Sequence, residues 1–391
     1  MPATPLSALR PGARAAWSAP DLDSVPCEPT EADGQRFARI VSVDLSPEQE
    51  LRAVTPGQTH PKQRRVLALH WHPEFVPMPL IARRLDALFP GAEERLVIPT
   101  QHNELTSFGD YSGVEVDCYS SGFNQKIQLL LHFRTERLER AHTLRQMLRH
   151  THKYRSSQLF EFMAAILEPR QEIVGQAAAQ TGADETTVEY VRRNLMRIDA
   201  LLAARWDDVP RDSLKNKLLA HWFDTLRAEH SDPFIDRVQT YLRAVKALVK
   251  ARFSLDYFYR ASEVIEEARA LGAGIVIPHP EQFWPVLLAE YDVDGWEVWN
   301  PQSSRYTAFL VSVLHERNRC RPRSGRPLMV FMGDDTHMGE KVKDPAFRNP
   351  EKSAREIGVQ PWDDMLVRKQ LILASMDRAR VMAEYRARLD G

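Results

Sequence analysis

The sequence predicts an α/β fold, a barrel or an open sheet, on three observations. Short apolar stretches with strand spacing alternate with amphipathic helical stretches over residues 65–133, and the alternation resumes from about 255 to 345. The connections are long enough for helical crossovers between parallel strands. Nearly every apolar stretch ends in histidine or a carboxylate, and in folds of this kind the chemistry gathers at the C-terminal ends of the strands.

Taken in order, residues 1–60 form an N-terminal extension. The first 35 are rich in Pro, Ala and Ser, and residues 37–43 (FARIVSV) read as a strand. The site-bearing region then occupies 61–135 and 253–345. Its first strand is VLALH, followed by a helix near PLIARRLDALF in which Pro79 suits the first turn. LVIPTQH, GVEVDCY and IQLLLHF follow. Residues 136–252 change character: TTVEYVRRNLMRIDALLAARW and FIDRVQTYLRAVKALVKARF carry apolar residues at helical spacing. This is a helical insertion, placed between the two halves of the site-bearing region as a cap would be. Beyond it Ser262 caps EVIEEARAL and Gly272 stops it. IVIPHP, GWEVWN, a helix from Ser303 or Ser304 to about Arg317, and LMVFMGDDTH complete the region. Residues 346–391 form a helical tail.

At 391 residues the chain can bury a sizeable core. Lys and Arg number 52 against 53 Asp and Glu, so net charge gives no argument for nucleic acid or an anionic membrane. Cys27, Cys118 and Cys320 form no disulfide framework and no CxxC pair, which favours a reducing cytoplasm. The N-terminus has no apolar signal core, and no stretch reaches the ~18 apolar residues of a membrane helix. The expectation is a cytoplasmic protein of unknown oligomeric state.

The ligand-type residues form a series. His70 and His72 stand two apart, so in a strand both imidazoles face one side with Trp71 on the other. LVIPTQH ends in His102, GVEVD carries Glu115 and Asp117 on one face, and IQLLLH ends in His132. IVIPH ends in His279, DGWEVWN carries Glu297 and Asn300, and GDDTH carries Asp335 and His337. Each residue alone has a structural explanation, such as a satisfied core histidine at His132 or a buried ion pair at Glu115. Jointly, six of the 13 histidines fall at strand ends. The remainder, His60, His142, His150, His152, His221, His230 and His315, fall in a loop or in helices. Converging imidazoles and carboxylates are what divalent cations require.

In this order the motifs HxH, TQHN, GVE, LLLHF, PHP, GWEVWN and GDDTH resemble the PHP (polymerase and histidinol phosphatase) superfamily of metal-dependent phosphoesterases. The resemblance implies a distorted (β/α)7 barrel carrying a large helical insertion, with two or three divalent ions, usually Mn, Zn or Fe. It implies that His70, His72, Glu115 and Asp335 hold one ion, and that Glu115 bridges to a second completed by His132 and His279. His102 and His337 belong to a third. The family's further ligand seven or eight residues after His70 falls on Pro77 or Met78, neither a useful donor, which leaves Glu74 as the substitute. Gln101 stands where the family commonly has Asp.

Such a constellation supports hydrolysis of a phosphoester of a small phosphorylated metabolite or nucleotide by a metal-activated hydroxide. Glu115, Asp335 and His337 would be catalytic through metal-bound water. The chain has no GxSxG and no GxxxxGK[ST] motif. Asn103, Asn300 and Arg305 are the candidates to meet substrate, with Asn124 comparable. Trp71, Trp284, Trp296 and Trp299 either line a pocket or pack the core. The run Arg317, Arg319, Arg321, Arg323 and Arg326 reads as a solvated basic loop. Alternatives are a PHP-type nuclease, a non-catalytic metal-binding domain, and a carbon–nitrogen hydrolase. Against the last, DTH and the GVE carboxylate stand in place of a bridging modified lysine.

Overall fold

The computed structural model describes residues 20–321, 326–345, 348–374 and 376–391. It is a mixed α/β protein that divides into two compact units, one comprising residues 1–42 and 155–253 and the other 43–154 and 254–391. Among the described residues no helix is long and apolar enough to cross a membrane.

The first unit is helical. Its helices are Glu31–Val41, Gln171–Thr181, Glu185–Ala204, Lys217–Thr225 and Asp232–Arg252, with part of His142–Leu167. They bury Phe37, Tyr190, Leu195, Trp222, Phe223, Phe234 and Tyr241 together. The expected strand at residues 37–43 is therefore corrected to the end of a helix. Thr30 caps it in a reciprocal box with Asp33, and Phe37 and Val41 sit one helical turn apart on the buried face. Asp33 then reaches across the unit. Its carboxylate accepts from Arg197 Nη1 at 3.0 and 3.1 Å and from Arg36 Nη1 at 2.9 Å.

Among the described residues the second unit holds ten strands: β1 (Arg65–Ala68), β2 (Trp71–His72), β3 (Glu94–Val97), β4 (Thr106–Phe108), β5 (Tyr111–Ser120), β6 (Gln125–Arg134), β7 (Gly274–Ile277), β8 (Gly295–Trp299), β9 (Met329–Met332) and β10 (Thr336–His337). They pair as β1–β3, β2–β10, and a six-stranded mixed sheet β4-β5-β6-β7-β8-β9. The expectation of a purely parallel series is corrected at β5–β6, a ten-residue antiparallel hairpin, and β6–β7 is antiparallel as well. The four residues between β5 and β6 are too few for a crossover, and Asn124 takes a positive φ of 48° there.

No closed ladder forms among the described strands. An isolated bridge, His102 to Glu115, and a backbone bond from Thr100 to Trp71 at 2.8 Å connect the ladders. Bonds from Ile98 to Ala68, Gly333 to Trp299 and Asp335 to His70, at 2.8–2.9 Å, each continue the ladder they follow.

Helix Met78–Leu88 has Pro79 in its first turn as expected. Helix Ala261–Ala270 is capped by Arg260, whose N–H donates to Glu263, rather than by Ser262, while Gly272 turns the chain at φ 70°. Thr307–Cys320 follows a 3-10 turn at Ser304–Tyr306, and the tail supplies Met365–Leu373 and Arg378–Asp390. Trp71, Val66, Ile81, Leu85 and Phe89 bury one small core, and the sheet with Tyr385 and Leu389 of the tail buries the larger one.

Burial pushes the Asp33 carboxyl up, but hydrogen bonds from Thr30 and the Arg197 guanidinium overcome it and leave its pKa below the ordinary value. A carboxylate with a depressed folded-state pKa stabilises above its unfolded pKa and loses that contribution as pH falls. Asp33→Asn is expected to destabilise the helical unit by about 3 kcal/mol at pH 7. Hydrogen exchange over Glu185–Ala204 will read this as faster opening, with the gap from wild type shrinking below about pH 4.

Candidate metal centre

The carboxylate of Glu115 lies on the inner face of β5 at 1 % exposure. His70 and His72 come from the end of β1 and from β2, and His102 faces Glu115 across their isolated bridge. His279 follows β7, and Asp335 precedes β10, whose register sets His337 beside His72. The sequence rule of strand-end donors therefore brings seven of the eight expected ligands together: His70, His72, His102, Glu115, His279, Asp335 and His337.

Their donor atoms form three overlapping triplets: His70–Glu115–His279, His70–His72–Asp335 and His72–His102–His337. His70 Nε2 stands 3.8 Å from Glu115 Oε1 and 3.6 Å from Asp335 Oδ1. His72 Nε2 stands 3.6 Å from Glu115 Oε2 and 3.4 Å from Asp335 Oδ1. His279 Nε2 is 3.6 Å from Glu115 Oε1, and His337 Nε2 is 3.4 Å from Asp335 Oδ1. Most of these spacings are too long for hydrogen bonds. They match two donors on one cation, because atoms about 2.1 Å from a metal stand roughly 3.4 Å apart at tetrahedral angles. His70 Nε2 and both ring nitrogens of His72 are buried with no hydrogen-bond partner among the described residues. Orphaned, buried and convergent nitrogens of this kind fit a divalent ion.

The electrostatics agree. Burial lowers the pKa of His70, yet Glu297, Asp335 and Glu115 raise it to about 10, so the surroundings of this nitrogen attract positive charge, whether a proton or a metal. Burial, with His102 and His337 beside it, pushes His72 down to about 3. Burial also opposes ionisation of Glu115 and Asp335, but the surrounding imidazoles hold both carboxyls well below their usual range.

A second ring of contacts fixes the donors. His70 Nδ1 meets Glu297 Oε1 at 2.7 Å, which leaves Nε2 facing the cluster, and Glu297 Oε2 accepts from the His279 backbone N–H at 3.0 Å. Gly333 makes room for that carboxylate, since a Cβ there would lie 2.0 Å from Glu297 Oε1. Asp335 Oδ2 accepts from Arg355 Nη1 at 2.6 Å and Gln302 Nε2 at 2.7 Å, which turns Oδ1 toward the histidines. Glu74 accepts from the Gly339 N–H and reaches His337 Nδ1 at 3.2 Å, so the residue expected as a substitute metal donor instead stands behind His337, outside the three donor triplets. Gln101 Oε1 accepts from the Glu74 N–H at 3.2 Å and so positions a neighbour of the centre. Among the five described non-glycine residues with positive φ, Glu74, Asn103, His279 and Asp335 belong to the centre or touch it. Such backbone strain persists where the surroundings enforce it, and it gathers at functional sites.

His132 is the correction. It is fully buried, Nε2 donates to the Leu69 carbonyl at 2.8 Å, and Nδ1 accepts from the Tyr385 hydroxyl at 2.6 Å. A carbonyl can only accept, so the proton sits on Nε2 and the remaining lone pair is taken by Tyr385. Burial keeps the ring neutral, with its pKa lowered to about 4.

Of the substrate candidates, Asn103 is buried against Asp117, with Nδ2 donating at 2.8 Å. Asn300 is buried, its Oδ1 accepts from Gln302 N, and its Nδ2 has no partner among the described residues. Arg305 is exposed and lies over the Tyr306 ring at 4.7 Å. Asn124 accepts from the Tyr119 hydroxyl. Trp71 and Trp296 are core residues, whereas Trp284 is exposed. The expected basic loop is corrected in part: Arg317 and Arg319 lie in the last turn of helix Thr307–Cys320, where Arg317 is half-buried and donates to the Leu287 carbonyl and Arg319 meets Glu316, while Arg321 follows the helix and donates to the Arg326 carbonyl; Arg323 lies outside the described residues. Sequence reasoning missed Gln302, Arg355 and Tyr385. Gln302 lies just past β8, where its place gave a signal; the other two come from segments with no motif.

No known family matches the chain by sequence, and no curated protein matches it. Among solved structures, a "putative metal-dependent phosphoesterase" from Bifidobacterium adolescentis aligns over 81 % of this chain and 97 % of its own, at 15 % identity and a TM-score of 0.36. A likeness that low carries no argument about activity.

Two expectations follow from the geometry. Glu297→Gln and Gly333→Ala, which release or displace the partner of His70, should each lower manganese affinity about 10–100-fold by titration calorimetry. His132→Asn should leave metal stoichiometry by elemental analysis unchanged, whereas His279→Ala should lower it.

Proposed function

We propose that this chain is a metal-dependent hydrolase of the PHP type that cleaves the phosphoester of a small phosphorylated metabolite or nucleotide. One observation carries the reading: three overlapping sets of buried histidine and carboxylate donors, spaced as edges of coordination polyhedra around Glu115 and Asp335. In the same reading, the interrupted ring of strands is a distorted barrel with its donors at the strand ends.

His70 has one nitrogen facing the cluster, so the two inner triplets compete for it. We assign it, with His72, Glu115 and Asp335, to one ion. Glu115 and His279 then serve a second without His132, and His102 with His337 a third. Bound there, divalent cations such as Mn, Zn or Fe supply Lewis acidity, acidifying water and neutralising phosphoryl charge. The chain's own residues set up that chemistry. Glu115 and Asp335 supply the negative charge that holds cations, and Glu297 fixes the orientation of His70. Arg355 and Gln302 keep Asp335 on one oxygen, and His337, oriented by Glu74, closes the opposite side. Asn300 and Arg305 remain the candidates to meet the substrate beyond β8.

The test is a panel of phosphomonoesters and diesters with manganese. Wild type should hold two to three ions per chain and turn over at least one ester. His70→Ala and Asp335→Ala should lose on the order of a hundredfold or more in kcat/KM, since even outer-shell changes cost 10–100-fold. Equal activity in all three proteins overturns the proposal.

A further inference from the structure

Beside the metal centre, the same face of the β5–β6 hairpin carries a fixed ammonium group. In the register of the hairpin, Glu115 pairs with Leu130, Asp117 with Gln128 and Tyr119 with Lys126. Side chains two apart on a strand share a face, as do directly paired residues. Glu115, Asp117 and Lys126 therefore line one face in succession, and Asp117 stands about 7 Å along the strand from Glu115.

Lys126 Nζ lies 2.6 Å from Asp117 Oδ1. Asp117 is itself held on both sides by Asn103, which donates from Nδ2 at 2.8 Å and accepts the Asp117 N–H at 2.9 Å while strained at φ 54°. A buried ion pair is a poor device for stability, because desolvation offsets the attraction. It is a good device for holding a cation still. The Asp117 side chain is 4 % exposed whereas the Lys126 side chain retains 31 %, so the lysine is only partly covered. The Tyr154 and Phe258 rings stand 5.2 and 5.6 Å from Nζ, and Tyr257 and Tyr259 lie beyond, against His150. Only one of the three ammonium donors is committed to Asp117.

We infer that Lys126, fixed by Asp117 and Asn103, is a subsite for a second anionic group of the substrate, a carboxylate or phosphate lying one ring's breadth from the scissile phosphorus. The inference rests on the phosphoester reading. It assigns Asn103 to holding Asp117 rather than to direct contact with substrate, and the aromatic flank favours a substrate bearing a planar ring between its two charges.

The experiment compares phenyl phosphate with 4-carboxyphenyl phosphate, which differ by one anion at that distance, using the manganese-loaded full chain. Wild type should prefer the carboxylated ester. In Lys126→Gln the ratio of the two kcat/KM values should fall about tenfold, carried by KM, and Lys126→Arg should restore most of it. The double variant Asp117→Asn with Lys126→Gln leaves no unpaired buried charge and should show the same lost ratio, so an unfolded single variant does not end the test. Calorimetry with phenylphosphonate and 4-phosphonobenzoate should show the same discrimination in binding. A ratio unchanged in both variants, or no wild-type preference, overturns the subsite while leaving the metal chemistry standing. If neither phosphonate binds and neither ester is cleaved, the subsite is overturned as well, while the phosphoester reading stands or falls by its own panel.

Discussion

An ionised carboxylate at 1 % exposure costs several kcal/mol unless positive charge or hydrogen-bond donors surround it, and Glu115 is placed in that situation on β5. Its main chain is tied on both sides, by Glu115 N donating to the Gln101 carbonyl and Asn103 N donating to the Glu115 carbonyl. Its two oxygens are shared out: Oε2 faces His102 at 2.5 Å and His72, while Oε1 faces His70 and His279. Three chain segments, at residues 70–72, 102 and 279, thus meet one charge. The strained backbones at Asn103, His279 and Asp335 are tolerated because that charge and its partners leave few other solutions.

Around this centre, polar contacts divide the work between two carboxylates. Asp335 resembles Glu115 in burial but differs in attachment, since one of its oxygens is taken by Arg355 and Gln302. Glu297 acts only at one remove, through His70 and the His279 backbone. The apolar cores on either side, one around Trp71 and one around the six-stranded sheet, supply the rigidity that fixes these distances.

Much of this was legible in the chain. The spacing of two in His70/His72 and Asp335/His337 marked paired residues on one strand face, and the β2–β10 register brings those pairs together. The strand-end rule located His102 and His279. The same rule failed at His132, because a strand-end histidine looks alike whether its lone pair faces a cation or a tyrosine hydroxyl 253 positions away. Arg355 escaped notice for the same reason: its role exists only through contact. The hairpin was legible in principle, since the link at residues 121–124 is too short to cross a sheet. Residues 37–43 misled because a short apolar run fits both periods, and the deciding signal was the Thr30–Asp33 cap upstream.

The imidazole of His132 has a consequence of a different kind. One ring ties the carbonyl of Leu69, the sixth strand and the last helix together, across separations of 63 and 253 positions. Such distant partners give the unit a high contact order, and closure entropy is spent before those contacts reward it. During synthesis the imidazole of His132 cannot meet both partners until residue 385 has left the ribosome. The helix Arg378–Asp390 thereby closes over a histidine laid down far earlier in the chain, a contact that forms late for reasons of sequence distance alone.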